Sequence, residues 1–204
     1  EERINKPGGS IVWLAMQQDP LVGDAVLKAE PKLRGVGVER GAKRVYPAGT
    51  LAAQVIGFTN STGVGREGLE GMLNRDLSGK DGEMFAEVDP ERRVIPETRR
   101  GVREPQDGKD VYLTIDIAIQ HIAERALGKM AKTYRPESAC AIVLRPQTGE
   151  ILALANYPTY DPNKPLSAAT GSWRNRAVAD LYEPGSTLKV ITAAAAVNEG
   201  VRPN

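Results

Sequence analysis

EPGSTLKVITAAAAVNEG, running from Glu183 to Gly200, sets a serine and a lysine three residues apart at the mouth of an almost wholly apolar helix. Pro184 and Gly185 close the preceding loop, so Ser186 falls at a helix N-cap or in its first turn. Residues three apart share a helix face, which lets the Lys189 ammonium fold back toward the Ser186 hydroxyl. Leu188, Val190, Ile191 and the alanines at 193–196 leave this helix no polar face, and a helix apolar on all sides is expected to run through a domain interior. Burial there would desolvate Lys189 and make it a base. Such an amine can take the serine proton as the hydroxyl attacks. The positive end of the helix dipole favours negative charge developing at Ser186, whose backbone N–H could form half of an oxyanion hole. The chemistry this suits is acyl transfer through a serine ester. On spacing alone, Ser186 could equally be a plain N-cap and Lys189 a snorkelling surface lysine; the Pro-Gly entry and the apolar helix favour the first reading.

Upstream, two apolar runs, Ala139 to Leu144 and Ile151 to Ala155, flank Pro146-Gln147-Thr148-Gly149 and predict a hairpin with Gly149 in its turn. Both runs are apolar on successive residues, as in a sheet covered on both faces, which makes Cys140 a buried core thiol. Val111 to Ile115 has strand composition. Asp116 can cap a helix whose apolar stripe is Ile119, Ile122, Ala123, Ala126 and Leu127, leaving His121 on the surface. The stretch from Asn156 to Arg176 reads as a long ordered loop, with Tyr160 and Trp173 available to pack.

The first hundred residues are rich in glycine, charge and turn dipeptides, and predict short elements. Asp19 to Glu30 fits a helix entered through Asp-Pro. Val36 to Val38 and Lys43 to Tyr46 look like strand pieces, and Leu51 to Ile56 a turn or two of helix ended by Gly57. Arginines at 92, 93, 99, 100 and 103 alternate with acids and prolines, as in a solvated hairpin or linker. A boundary is expected near REPQDGKD, dividing the chain into residues 1–107 and 108–204.

Lys and Arg number 27 against 26 Asp and Glu, so no global field points to nucleic acid or an anionic membrane. A single cysteine and a single histidine exclude an internal disulfide and give no zinc spacing. No cofactor and no metal are implied. The longest apolar run, Val190 to Val197, is far short of the roughly 20 residues that span a bilayer. The chain opens at Glu1 without a leader and so reads as a piece of something longer.

Four stretches carry a resemblance. YEPGSTLKVITAAAA looks like the first active-site motif, S-x-x-K, of penicillin-binding proteins. VYLTIDIAIQ resembles the opening strand and helix of their transpeptidase domain, RPQTGEILALANYPTYDPN its hairpin and following loop, and RNRAVADLYEPGS the approach to the nucleophile. RVYPAGTLAAQVIGFTN and GREGLEGMLNRDLSGKDG resemble the pedestal, or dimerisation, domain of the class B members, and GFTN with GREGLE looks closer to the division and sporulation branch than to the elongation branch.

The resemblance implies an α+β fold: an extended pedestal domain, then the N-terminal part of a penicillin-binding serine transpeptidase domain of β-lactamase-like architecture. It implies a peptidoglycan D,D-transpeptidase with Ser186 as nucleophile and Lys189 as acylation base. Its partners would be peptidoglycan stem peptides, β-lactam antibiotics, a glycosyltransferase and other cell-wall synthesis proteins. A single-pass membrane anchor would lie upstream, with this part on the extracytoplasmic side of a bacterial cell membrane. The family's Ser-x-Asn and Lys-Thr/Ser-Gly motifs are absent from the 204 residues, so the isolated piece is expected to be inactive. The alternatives are a non-catalytic scaffold for cell-wall proteins, or a penicillin sensor or class D-like β-lactamase.

Overall fold

A long helix laid along the free edge of a hairpin organises the second half of the chain, and short helices and a second hairpin make up the first. The structure, a computed structural model, describes residues 12–29, 35–39, 41–90 and 93–201. In order these form α1 (Pro20–Leu27), α2 (Ala53–Ile56), α3 (Gly68–Met72), α4 (Asn74–Leu77), β1 (Glu83–Phe85), β2 (Arg100–Arg103), α5 (Ile117–Tyr134), β3 (Ala139–Leu144), β4 (Ile151–Tyr157), α6 (Arg176–Ala179) and α7 (Lys189–Asn198). Helices and antiparallel pairs are segregated, an α+β arrangement.

Local signals place several elements as the sequence predicts. The Asp19 carboxylate accepts from Leu21 N–H at 2.8 Å and Pro20 fills the first position of α1; Glu30, where that helix was expected to end, lies outside the described residues. Gly57 ends α2 at φ +81, a conformation that costs glycine nothing. The arginine-rich stretch is a solvated hairpin: Glu83 pairs with Arg103, Phe85 with Arg100, and a bridge joins Val88 to Val94. Arg92 lies outside the described residues. Val36 to Val38 and Lys43 to Tyr46 join no ladder among the described residues. At Tyr46 the reason is visible, because its backbone is bonded to a side chain rather than to a strand.

β3 and β4 pair antiparallel from Ala139↔Tyr157 to Leu144↔Ile151, with Gly149 at φ +78 in the turn. Burial of this hairpin departs from the two-faced expectation. Ala153 to Asn156 of β4 are buried, but β3 alternates, and Cys140, Ile142 and Leu144 are exposed. Cys140 is therefore a surface thiol among the described residues.

The segment Val111 to Ile115 is not a strand. It runs past the free edge of β4 and touches it through Thr114, whose Oγ1 donates to the Ile151 carbonyl (2.7 Å); the next contact is from Asp116 N–H to the Leu152 carbonyl (2.9 Å). One register further on, Gln120 takes over. Its Oε1 accepts from Leu154 N–H at 2.7 Å and its Nε2 donates to the Leu154 carbonyl at 3.0 Å. A primary amide offers the same donor and acceptor as a peptide group, so Gln120 stands in for a neighbouring strand. Asp116 caps α5 as expected, accepting from Ala118 and Ile119 N–H. The buried face of that helix is nevertheless Gln120, Leu127 and Ala131, while Ile122 is 56% exposed. The stripe is thus only partly covered: Leu127 is buried and Ile119 and Ala123 are half-buried, while Ala126 joins Ile122 on the exposed side.

Candidate functional site

Ser186 lies inside a 3₁₀ turn, Gly185–Leu188, and Lys189 is the first residue of α7. Gly185 enters the turn at φ +53, and Thr187 closes it, its N–H and hydroxyl both donating to the Pro184 carbonyl. The backbone N–H of Lys189 donates to the Ser186 carbonyl, so the two residues bound a single turn and the lysine follows the serine without a break. Ser186 thus occupies the first turn, as its sequence position predicts, where backbone N–H groups have no carbonyl four residues earlier to bond.

The expected burial is absent. Ser186 and Lys189 are exposed, as are Leu188 (50%), Val190 (73%) and Ile191 (65%), and only Ala196 of α7 is half-buried. Apolar composition states what a helix face requires; it does not supply the covering, and none of the described residues does so. His121 is exposed, as expected. Among the described residues no group of His, Cys, Asp and Glu is arranged to hold a metal ion, and no helix is long and apolar enough to cross a membrane. A groove of about 540 Å³ lined by Ile56, Leu69, Leu73 and Leu113 lies apart from Ser186.

Sequence reasoning missed the joint on which the Asn156–Arg176 loop is seated. Phe58 packs edge-on against Tyr160 and Trp173, with centroids 6.0 and 5.4 Å apart, and Tyr46 and Ala53 complete this core. Around it, side chains reach for backbone. Gln54 Nε2 donates to the carbonyls of Pro158 and Ser172, each at 2.9 Å, and the Tyr160 hydroxyl donates to the Ala53 carbonyl at 3.1 Å. Glu124 Oε1 accepts from Gln120 Nε2 and from Ala52 N–H, both at 2.7 Å. Ala52 sits at φ +52, an uncommon conformation for a residue with a Cβ, and the carboxylate satisfies its amide there. The signal available in advance was the polar pair Gln120 and Glu124, one turn apart on α5.

Comparison with known proteins gives this geometry its context. Residues 24–113 match the penicillin-binding protein dimerisation domain and residues 139–204 the penicillin-binding protein transpeptidase domain. The chain is 40% identical over 200 residues to a probable peptidoglycan D,D-transpeptidase, PenA, of Neisseria gonorrhoeae, covering 97% of this chain and 34% of that protein. It is 35% identical to the peptidoglycan D,D-transpeptidase FtsI of Escherichia coli, covering 98% and 33%. The crystal structure of a peptidoglycan synthetase from Bifidobacterium adolescentis superposes with a TM-score of 0.66 at 28% identity, over 99% of this chain and 36% of that one. The chain thus spans about a third of the length of the curated relatives it matches. It belongs to the class B penicillin-binding proteins, with a dimerisation domain followed by the start of a transpeptidase domain.

Proposed function

We propose that the full-length protein is a peptidoglycan D,D-transpeptidase of the septal type. In it Ser186 is the nucleophile and Lys189 its base, within a division into residues 1–107 and 108–204. The observation that carries this reading is the unbroken turn from Ser186 to Lys189 at the head of an apolar helix, in a chain of this family. Ser186 Oγ attacks the carbonyl of the penultimate D-alanine of a stem peptide while Lys189 Nζ takes the hydroxyl proton. The tetrahedral oxyanion faces first-turn N–H groups, that of Ser186 among them. Collapse breaks the peptide bond, the proton passes to the departing D-alanine amine, and a serine ester remains. An amine of a neighbouring strand then attacks the ester and restores the Ser186 hydroxyl. β-Lactams acylate the same oxygen.

In this reading the protein is held by an upstream membrane anchor, with these residues outside the cytoplasm, beside a glycosyltransferase and other cell-wall synthesis proteins. The exposed state of Ser186, Lys189 and α7 supports the isolated 204 residues being inactive, since nothing among the described residues closes the site against water. The test is labelling of the full-length protein with a fluorescent penicillin, followed by mass spectrometry of its peptides. The adduct is expected on Ser186 and is expected to vanish in Ser186→Ala; label that survives this substitution refutes the assignment.

A further inference from the structure

α6 is four residues long, far below the length at which a helix sustains itself in water, yet it is the last regular element before Ser186. A ring of charge holds it. Asp180, at its C-cap, receives a different guanidinium on each carboxylate oxygen: Arg174 Nε on Oδ1 at 2.6 Å and Arg176 on Oδ2 at 3.1 Å. The same Arg174 fork donates to the Ala179 carbonyl at 2.7 Å. One arginine thus binds both the last peptide carbonyl of the helix and the carboxylate beyond it, a geometry that the planar guanidinium favours and an ammonium cannot reproduce. The other end is tied to the sheet, where Asn156 on β4 donates to Oδ1 of Asn175, the N-cap of α6, at 3.1 Å.

Beyond Asp180 the chain is unsupported among the described residues. Leu181 is 102% and Tyr182 77% exposed, and the next fixed geometry is the 3₁₀ turn that contains Ser186. We infer that Asp180, clamped by Arg174 and Arg176, is a positioning residue for the Ser186 nucleophile: it fixes the direction in which the chain leaves the sheet toward the reacting hydroxyl. This deepens the acyl-transfer reading above and rests on it. None of the three residues touches the reacting atoms, so they act on the rate of attack through the placement of Ser186, to which such reactions are steeply sensitive.

The experiment follows acylation of the full-length protein by a fluorescent penicillin at increasing drug concentration, which separates the non-covalent Kd from the first-order acylation constant. Asp180→Asn keeps the size and removes the charge that both arginines hold. It is expected to lower the acylation constant about tenfold with Kd unchanged. A purely structural role would reduce the fraction of protein that reacts and leave the constant of the reacting fraction as it was, and that result overturns the proposal. If Asp180→Asn yields no soluble protein, Arg174→Lys, which keeps the charge and loses the fork, is read in the same way. Label surviving on Ser186→Ala removes the underlying reading; label at Ser186 with an unaltered constant in Asp180→Asn removes the clamp alone.

Discussion

Asn163 binds the backbone of Tyr46 in both directions: its Oδ1 accepts from Tyr46 N–H and its Nδ2 donates to the Tyr46 carbonyl, each at 2.9 Å, across 117 residues of sequence. Asn163 is itself oriented by Asp161, whose Oδ1 accepts from both its N–H and its Nδ2 at 2.9 Å. The bonds from Asn163 hold the Asp161 carboxyl below the usual carboxylate range. Asn163→Ala is expected to lower the unfolding free energy of the full-length protein by about 1–3 kcal/mol, the cost of leaving partly buried peptide groups unpaired. Denaturant titration checks this, and a loss within experimental error would mean that the pairing contributes nothing.

Gln120 is the largest fully buried side chain among the described residues, and it is polar. Gln120→Leu preserves volume and strips partners from Leu154 N–H, the Leu154 carbonyl and Glu124 at once. With each unsatisfied buried group worth about 1–3 kcal/mol, a loss of about 2–4 kcal/mol is expected. Hydrogen exchange at the Leu154 amide should quicken specifically; unchanged protection there would show that Gln120 does not terminate the sheet.

Gly57 and Gly63 share φ +81 but not their surroundings. A Cβ on Gly57 would come within 1.7 Å of the Glu67 carbonyl oxygen, whereas one on Gly63 would meet nothing within 4 Å. Gly63→Ala should therefore cost only the left-handed strain of about 1–2 kcal/mol. Gly57→Ala should cost clearly more, because backbone must move to admit it. Equal melting temperatures for the two variants would contradict the close approach of Gly57 to α3.

Burial raises the Tyr160 phenol above its ordinary value, with Glu67 and Tyr46 adding to the effect, and burial likewise raises Tyr46 despite its hydroxyl accepting from Thr59 N–H. The unfolded phenols ionise near pH 10, so the stability these groups contribute is complete below that pH and is lost as pH rises toward their folded values. Phenolate absorbance from both should grow in only as the fold gives way in alkali. Tyr160→Phe should remove part of that late component, and also the bond to Ala53; an early rise from either residue would be incompatible with its burial.

What was legible in the sequence was local. Asp19 and Asp116 announce helix starts, Gly57 a helix end and Gly149 a hairpin turn, because each of those structures is enforced within a few residues. Val111 to Ile115 was misread because β propensity describes a side-chain pattern, whereas the neighbouring edge of β4 is satisfied by Thr114, Asp116 and the Gln120 amide. The same amide shares the buried face of α5 with Leu127 of the apolar stripe, whose Ile122 and Ala126 are left exposed. At the candidate site the order of Ser186 and Lys189 on one turn could be read directly, but the exposure of α7 could not, since composition is silent about what covers a helix. The clamp at Asp180 was hidden in RNRAVAD, where two arginines and an aspartate are indistinguishable from a solvated surface until the guanidinium groups are seen to converge.

The joint around Phe58 is held in part by side chains that bind peptide groups: Gln54 on Pro158 and Ser172, Tyr160 on Ala53, Asn163 on Tyr46, and Glu124 on Ala52. Such recognition is one-sided in heredity. The residue that reaches must keep its chemistry, while for this bond the one that is reached need only keep its backbone where it is. In a chimaera pairing the dimerisation segment of one relative with the catalytic segment of another, seating of the halves would turn on these few reaching residues and hardly at all on overall identity.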